Sequence, residues 1–113
     1  MKIVKDKIEI SELKEMMKSF NGVFVKAVVD IEKEIMAVDA ELHADLRELL
    51  IDQEQSNHQN IWGINLYLDQ SEENFIEFDS MVNIKPGFGN RTRGVDNPKI
   101  REKIKSIVKK LVT

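Results

Sequence analysis

The stretch Val23–Leu42, VFVKAVVDIEKEIMAVDAEL, constrains the fold most strongly because it holds two strand patterns separated by a short turn. Its odd positions from Val23 to Ile31 are all apolar, and so are its even positions from Met36 to Leu42. Each alternation predicts a half-buried strand. Both apolar sets share one face in a register that places Ile31 opposite Met36, Val29 opposite Val38, Ala27 opposite Ala40 and Val25 opposite Leu42. The sequence therefore predicts a β-hairpin that turns at Lys33 and Glu34, or through a four-residue loop in the same register.

Three helices and a second hairpin are predicted around this first one. A helix lies within Ile8–Phe20 with Ser11 as its N-cap, a second within His43–Asp52, and a third follows Asn97 as cap and Pro98 as first residue. Strand patterns cover Ile61–Leu68 and Phe75–Ile84. We expect residues 1–113 to form a single α+β domain of order α-β-β-α-β-β-α. Its antiparallel sheet would have about four strands, with the helices packed on one face.

Composition and charge limit the classes of partner. The chain of 113 residues has no cysteine, which excludes disulfides and thiol chemistry, and neither an apolar run of membrane-spanning length nor a signal segment. We therefore expect a cytoplasmic protein without a membrane partner. Residues 85–113 carry a net charge of +7 against −10 for the first 84 residues. The basic terminal helix would pack beside the acidic remainder, or beside a second copy in a homodimer. The overall charge of −3 argues against nucleic acid as the partner.

Several long segments of the sequence are similar to segments of a known protein family. They are Val25–Asp45, the strand IWGINLY, the strand FDSMVNI, and the loop in which Pro86 and the triplet Gly89-Asn90-Arg91 precede the last helix. In these segments the chain resembles an uncharacterised prokaryotic family of unknown function, which consists of small stand-alone proteins. The resemblance implies no activity. It directs attention to Glu41, His43, Asp45, Trp62, Asn65, Asn90 and Arg91.

One candidate site is a divalent metal site formed by Asp39, Glu41 and His43. If the second strand runs as far as His43, these alternating residues project from one face and offer two carboxylates and an imidazole. The alternative is that the two carboxylates are solvated, with Glu41 paired to Lys26 across the hairpin, and that His43 begins the second helix.

The other candidate site is the loop before the last helix, with Gly87, Gly89, Asn90, Arg91 and Arg93. Glycines let backbone amides approach a ligand, and arginines donate to phosphate or carboxylate groups. The alternative is a structural loop whose arginines pair with the acidic hairpin. The sequence thus favours a small binding or interaction protein that contacts an anionic ligand through this loop. A metal-assisted hydrolase or other enzyme that uses Asp39, Glu41 and His43 is the second hypothesis.

Overall fold

The computed structural model describes all residues from 1 to 113 and contains one antiparallel sheet and three α-helices. The strands are β1 (Lys2–Val4), β2 (Val25–Asp30), β3 (Ile35–Val38), β4 (Ile61–Leu66) and β5 (Ile76–Glu77). The helices are α1 (Ile10–Phe20), α2 (His43–Glu54) and α3 (Pro98–Leu111). The sheet order is β1-β3-β2-β4-β5. The α+β class and the antiparallel sheet are confirmed, whereas the expected four strands are five because β1 pairs with β3.

The first hairpin forms, but its register differs from the prediction by two residues. Val29 pairs with Met36 and Ala27 with Val38, so the expected pairs of Ile31 with Met36 and of Val25 with Leu42 are wrong. The buried Asp30 carboxylate explains the shift. Its Oδ1 accepts hydrogen bonds from the backbone amides of Glu32 at 2.9 Å and Lys33 at 3.0 Å. The turn therefore begins one residue after Asp30, and Ile31 lies in the loop.

Helices cover both faces of the sheet, contrary to the expected single helical face. Leu13 of α1 and Ile104 of α3 belong to one buried cluster with the odd-numbered residues of β2. Leu46 and Leu50 of α2 belong to another with Val28 of β2. The central strands are apolar on both faces, because Val28 and Ala37 alternate with the residues of the first cluster.

The predicted strand Phe75–Ile84 is wrong beyond Glu77, because β5 contains only two residues. A short 3-10 turn, Met81–Asn83, then lies along β4. There the side-chain amide of Asn83 replaces a strand, since its Oδ1 accepts from Gly63 N at 2.7 Å and its Nδ2 donates to Gly63 O at 2.9 Å. The chain is thus free to leave the sheet while the backbone of Gly63 stays hydrogen-bonded.

The helix boundaries agree with the sequence except at the first N-cap and at the end of α2, which runs to Glu54 and not to Asp52. Asn97 caps α3, with its side chain accepting from Lys99 N, and Pro98 is the first helical residue. Helix α1 begins at Ile10 after Glu9, which makes no side-chain cap, so Ser11 is inside the helix.

Two ion pairs join the first hairpin to the basic terminal helix. The Glu34 carboxylate lies 2.7 Å from Lys110 Nζ and 3.4 Å from Lys103 Nζ. These lysines lower the pKa of Glu34 below its ordinary value. Acidic and basic segments of the same chain are therefore paired with each other at Glu34.

Candidate functional site

Asn90 holds together the loop that the sequence singled out as an anion site. Its side chain is buried, and its Nδ2 donates to the carbonyls of Asn83 and Gly94, both at 2.8 Å. Its Oδ1 accepts from Asp96 N at 2.9 Å. Because both ends of the amide are engaged, Asn90 shapes the loop and does not present its amide to a ligand.

The other four residues of that candidate site lie at the surface. The Arg93 Nε atom donates to Asp79 Oδ1 at 2.7 Å, whereas Arg91 is exposed and outside the ion pairs of the protein. Gly89 has φ +82°, and a side chain at Gly87 or Gly89 would meet no atom within 4 Å. Of the predicted side chains, only the Arg91 guanidinium is uncommitted.

Lys85, the first residue of the loop, is a buried cation. It is only 2% exposed, and its backbone N–H and C=O both pair with Asn90. Its Nζ atom donates to the Val82 carbonyl at 2.9 Å and lies 4.9 Å from the centre of the Trp62 ring. The Trp62 ring and the carbonyl supply partial negative charge, and no carboxylate lies within ion-pair distance.

Two further basic side chains, Arg47 and His58, lie close enough to Lys85 for their charges to interact with it. Burial, and then the positive charge of Arg47 on α2, lower the pKa of Lys85 to about 8. Burial also lowers the pKa of His58, with smaller contributions from Lys85 and Arg47. The only ion pair of Arg47 is with the neighbouring, mostly exposed Glu48, at 3.6 Å. We call Arg47, His58 and Lys85 the basic cluster.

The basic cluster has the chemistry of an anion site. A buried charge is normally paired, because desolvation without a partner is costly. Here an ammonium and a guanidinium lie near each other and near an imidazole, and the ammonium, the most buried of the three groups, has no anionic partner. A carboxylate or phosphate group would supply that partner. Sequence reasoning missed Lys85 because a lysine in a Gly/Pro-rich loop is normally solvated, and nothing in the residue pattern marks it as buried.

The structure does not bring Asp39, Glu41 and His43 together. Strand β3 ends at Val38, Asp39 has φ +74°, and His43 is the first residue of α2. No group of three His, Asp or Glu side chains could hold a metal ion. The expected pairing of Glu41 with Lys26 also differs, since Lys26 Nζ donates to the Glu41 backbone carbonyl. The geometric condition for the metal site is therefore not met.

His43 instead fastens α2 to the sheet. Its Nε2 atom lies 2.8 Å from the Ile64 carbonyl, which can only accept, so Nε2 carries the proton. Burial lowers the pKa of His43, and the hydrogen bond to Ile64 opposes that effect. The ring fits because β4 has a glycine below it: a Cβ atom at Gly63 would lie 3.2 Å from His43 Cδ2. Asn65, on the same face of β4, donates from Nδ2 to Glu77 at 2.8 Å, and its Oδ1 is buried without a donor.

Comparison with known proteins places the chain in a family without assigning it an activity. No helix is long and apolar enough to cross a membrane. No curated protein and no solved structure matches the chain. A family model described as a protein of unknown function matches residues 2–111 and so covers nearly all of the sequence. The chain therefore belongs to the DUF5674 family.

Proposed function

We propose that this protein is a binding module for a small anionic ligand, whose negative group is held at the basic cluster. The observation that carries the proposal is the buried, unpaired ammonium of Lys85, which is 2% exposed and has a pKa lowered to about 8. At pH 7 this lysine is still mostly protonated, so a charge without an anionic partner is maintained inside the protein. Burying a charge without a partner costs free energy, and a bound anion would remove that cost by pairing with the ammonium.

The loop contributes to the proposed site through Lys85 rather than through its arginines. Asn90 holds Lys85 in place by pairing with its backbone, and Arg93 is already paired with Asp79. Arg91 is exposed and would add long-range attraction, which solvent and salt weaken. Arg47 and His58 come from other parts of the chain, so the site would form only in the folded protein.

The test is a thermal melt at pH 7 with and without millimolar pyrophosphate, with ionic strength matched by sodium chloride. A ligand at about 100 times its dissociation constant adds roughly 2.7 kcal/mol to the free energy of unfolding, which raises the melting temperature by several degrees. We expect this shift in the wild type and not in Lys85→Met, which keeps the side-chain volume and removes the charge. Lys7→Met, at an exposed lysine outside the ion pairs, is the matched control and should keep the shift.

Two results would overturn the proposal. One is a pyrophosphate shift that is as large in Lys85→Met as in the wild type. The other is a shift that Arg91→Ala abolishes and Lys85→Met leaves intact, which would place the anion on the outer face of the loop.

A further inference from the structure

The edge of the sheet at β5 is open at Ile76. Tyr67 N donates to Phe75 O at 2.8 Å, so the backbone of Phe75 faces β4. Successive residues of a strand direct their backbone groups to opposite edges, so the N–H and C=O of Ile76 face away from β4. Since β5 is the last strand of the sheet, no strand pairs with them. Further along the chain this edge is covered, because Ser80 N donates to the Arg93 carbonyl at 2.9 Å.

A groove of about 740 Å³ lies between this open edge and α3. Its apolar lining comes from the start of α1, from β5 and from α3, and consists of Ile10, Phe75, Ile76, Val108 and Val112. Ile10 is 36% exposed although it is apolar. The side chain of Ile76 packs against the same buried cluster as α1 and α3, so it faces the groove. A strand added beside Ile76 would therefore place every second side chain on an apolar surface.

The charges around the groove decide which side chains such a strand would carry. Glu77, the next residue of β5, projects to the opposite face of the sheet and is exposed. The turn Glu72–Asn74 adds two exposed glutamates at one end of the groove. On the α3 wall Lys109 is exposed and outside the ion pairs, whereas Glu102 and Lys105 pair with each other at 3.4 Å. Basic residues are therefore favoured on the face of Glu77 and disfavoured inside the groove.

We propose that this groove binds an extended segment of a partner polypeptide in which apolar and basic residues alternate. The segment would pair with Ile76 as an added antiparallel strand, with its apolar side chains in the groove and its basic side chains beside Glu77. In this mode of recognition the main-chain hydrogen bonds contribute affinity, and the alternate side chains contribute specificity. The groove shares no residue with the basic cluster, so the inference does not depend on the proposed anion site.

The test measures the fluorescence anisotropy of a labelled six-residue peptide, with blocked ends and alternating valine and lysine, as the protein is added. A block peptide of three valines followed by three lysines has the same composition and charge, and it should bind roughly tenfold more weakly. Methylation of the valine amide nitrogens should abolish binding, because the residue opposite Ile76 then has no N–H to donate. Ser106→Trp, at an exposed position of the α3 wall, should fill the groove and block binding.

A charge swap tests the placement of the basic residues. Glu77→Lys should weaken binding of the alternating peptide by about tenfold, because an opposite-charge pair becomes a like-charge pair. A peptide with glutamate in place of its central lysine should bind that variant more tightly than it binds the wild type. Glu41→Lys, at an exposed carboxylate outside the groove, is the matched control and should bind as the wild type does.

Several results would overturn the inference. No binding of the alternating peptide at millimolar protein would do so directly. Equal binding of the alternating and block peptides, or an equal loss in Glu77→Lys and Glu41→Lys, would show general attraction of charge in place of strand addition. Self-association of the free protein in sedimentation, if Ser106→Trp abolishes it, would assign the groove to a second copy of the chain.

Discussion

Deprotonation of Lys85 should contribute a stabilisation of this protein when the pH is raised from 7 to 9.5. The pKa of this lysine is about 8 in the folded protein and ordinarily 10.5, the value expected in the unfolded chain. Because the folded-state pKa is the lower one, burying the protonated lysine costs stability, and the cost is fully present below pH 8. The difference corresponds to roughly 3 kcal/mol. The cost falls as the pH rises through the folded-state pKa and disappears above the unfolded-state value.

The part of this cost that is recovered by pH 9.5 is about 2 kcal/mol, because the folded protein is then deprotonated at Lys85 while the unfolded chain is still mostly protonated. The assay is urea denaturation at 25 °C, followed by circular dichroism, at pH 7 and pH 9.5. Buffers should contain no phosphate, since a bound anion would raise the pKa of Lys85. The free energy of unfolding of the wild type should rise by about 2 kcal/mol more than that of Lys85→Met.

Subtracting the change in unfolding free energy of Lys85→Met from that of the wild type removes the contributions of the other groups that titrate in this range. The control Lys7→Met should show the same change as the wild type. Burial raises the pKa of Tyr67 above its ordinary 10, and because Tyr67 is present in both proteins its contribution is removed by the subtraction. An equal change in the wild type and Lys85→Met would refute the reasoning, because it would assign the pH dependence to other groups. Fluorescence gives a second readout: Trp62, the only tryptophan, lies 4.9 Å from Lys85 Nζ, and its emission should titrate with a midpoint near pH 8 that Lys85→Met abolishes.

Two further predictions concern the edge of β4. Gly63→Ala should destabilise the protein by about 1–3 kcal/mol in urea, because the new Cβ atom would lie 2.6 Å from Ser80 Cβ, whereas Gly87→Ala, which meets nothing, should change stability by less than about 0.5 kcal/mol. Asn83→Leu should cost about 2–4 kcal/mol, because it leaves the buried N–H and C=O of Gly63 without partners, and amide hydrogen exchange at Gly63 should accelerate. Unchanged exchange in that variant would show that Asn83 does not close the edge.

The sequence predicted elements well where a period repeats over many residues. The alternation of β2 and β3 and the apolar stripe of α3 each involve five or more apolar positions, so their structures follow from burial. The hairpin register was less constrained, because a shift of two residues keeps every side chain on the same face. The interaction that decides the register is the hydrogen bonding of the turn amides to the Asp30 carboxylate. The alternation of apolar and polar residues does not reveal it.

Features that depend on long-range contacts were missed. Strand β1 contains three residues, too few for a period, and owes its existence to pairing with β3. The second helical face could have been predicted from Val28 and Ala37, which make the hairpin apolar on both sides. Burial of Lys85 depends on Asn90, Val82 and Trp62, and only the folded chain brings these residues around it. Of the candidate site, therefore, the sequence located the loop but not its central cation.

The amide of Asn83 also bears on aggregation. An open sheet edge is a template on which a strand of another chain can assemble. At Gly63 the edge of β4 is closed by one side chain, which satisfies the donor and the acceptor together. A foreign strand could bind there only by displacing that amide, and the turn Met81–Asn83 would have to move with it. The protein thus protects this part of its sheet without a further strand, and variants that lose the amide should be judged by their tendency to form fibrils as well as by their stability.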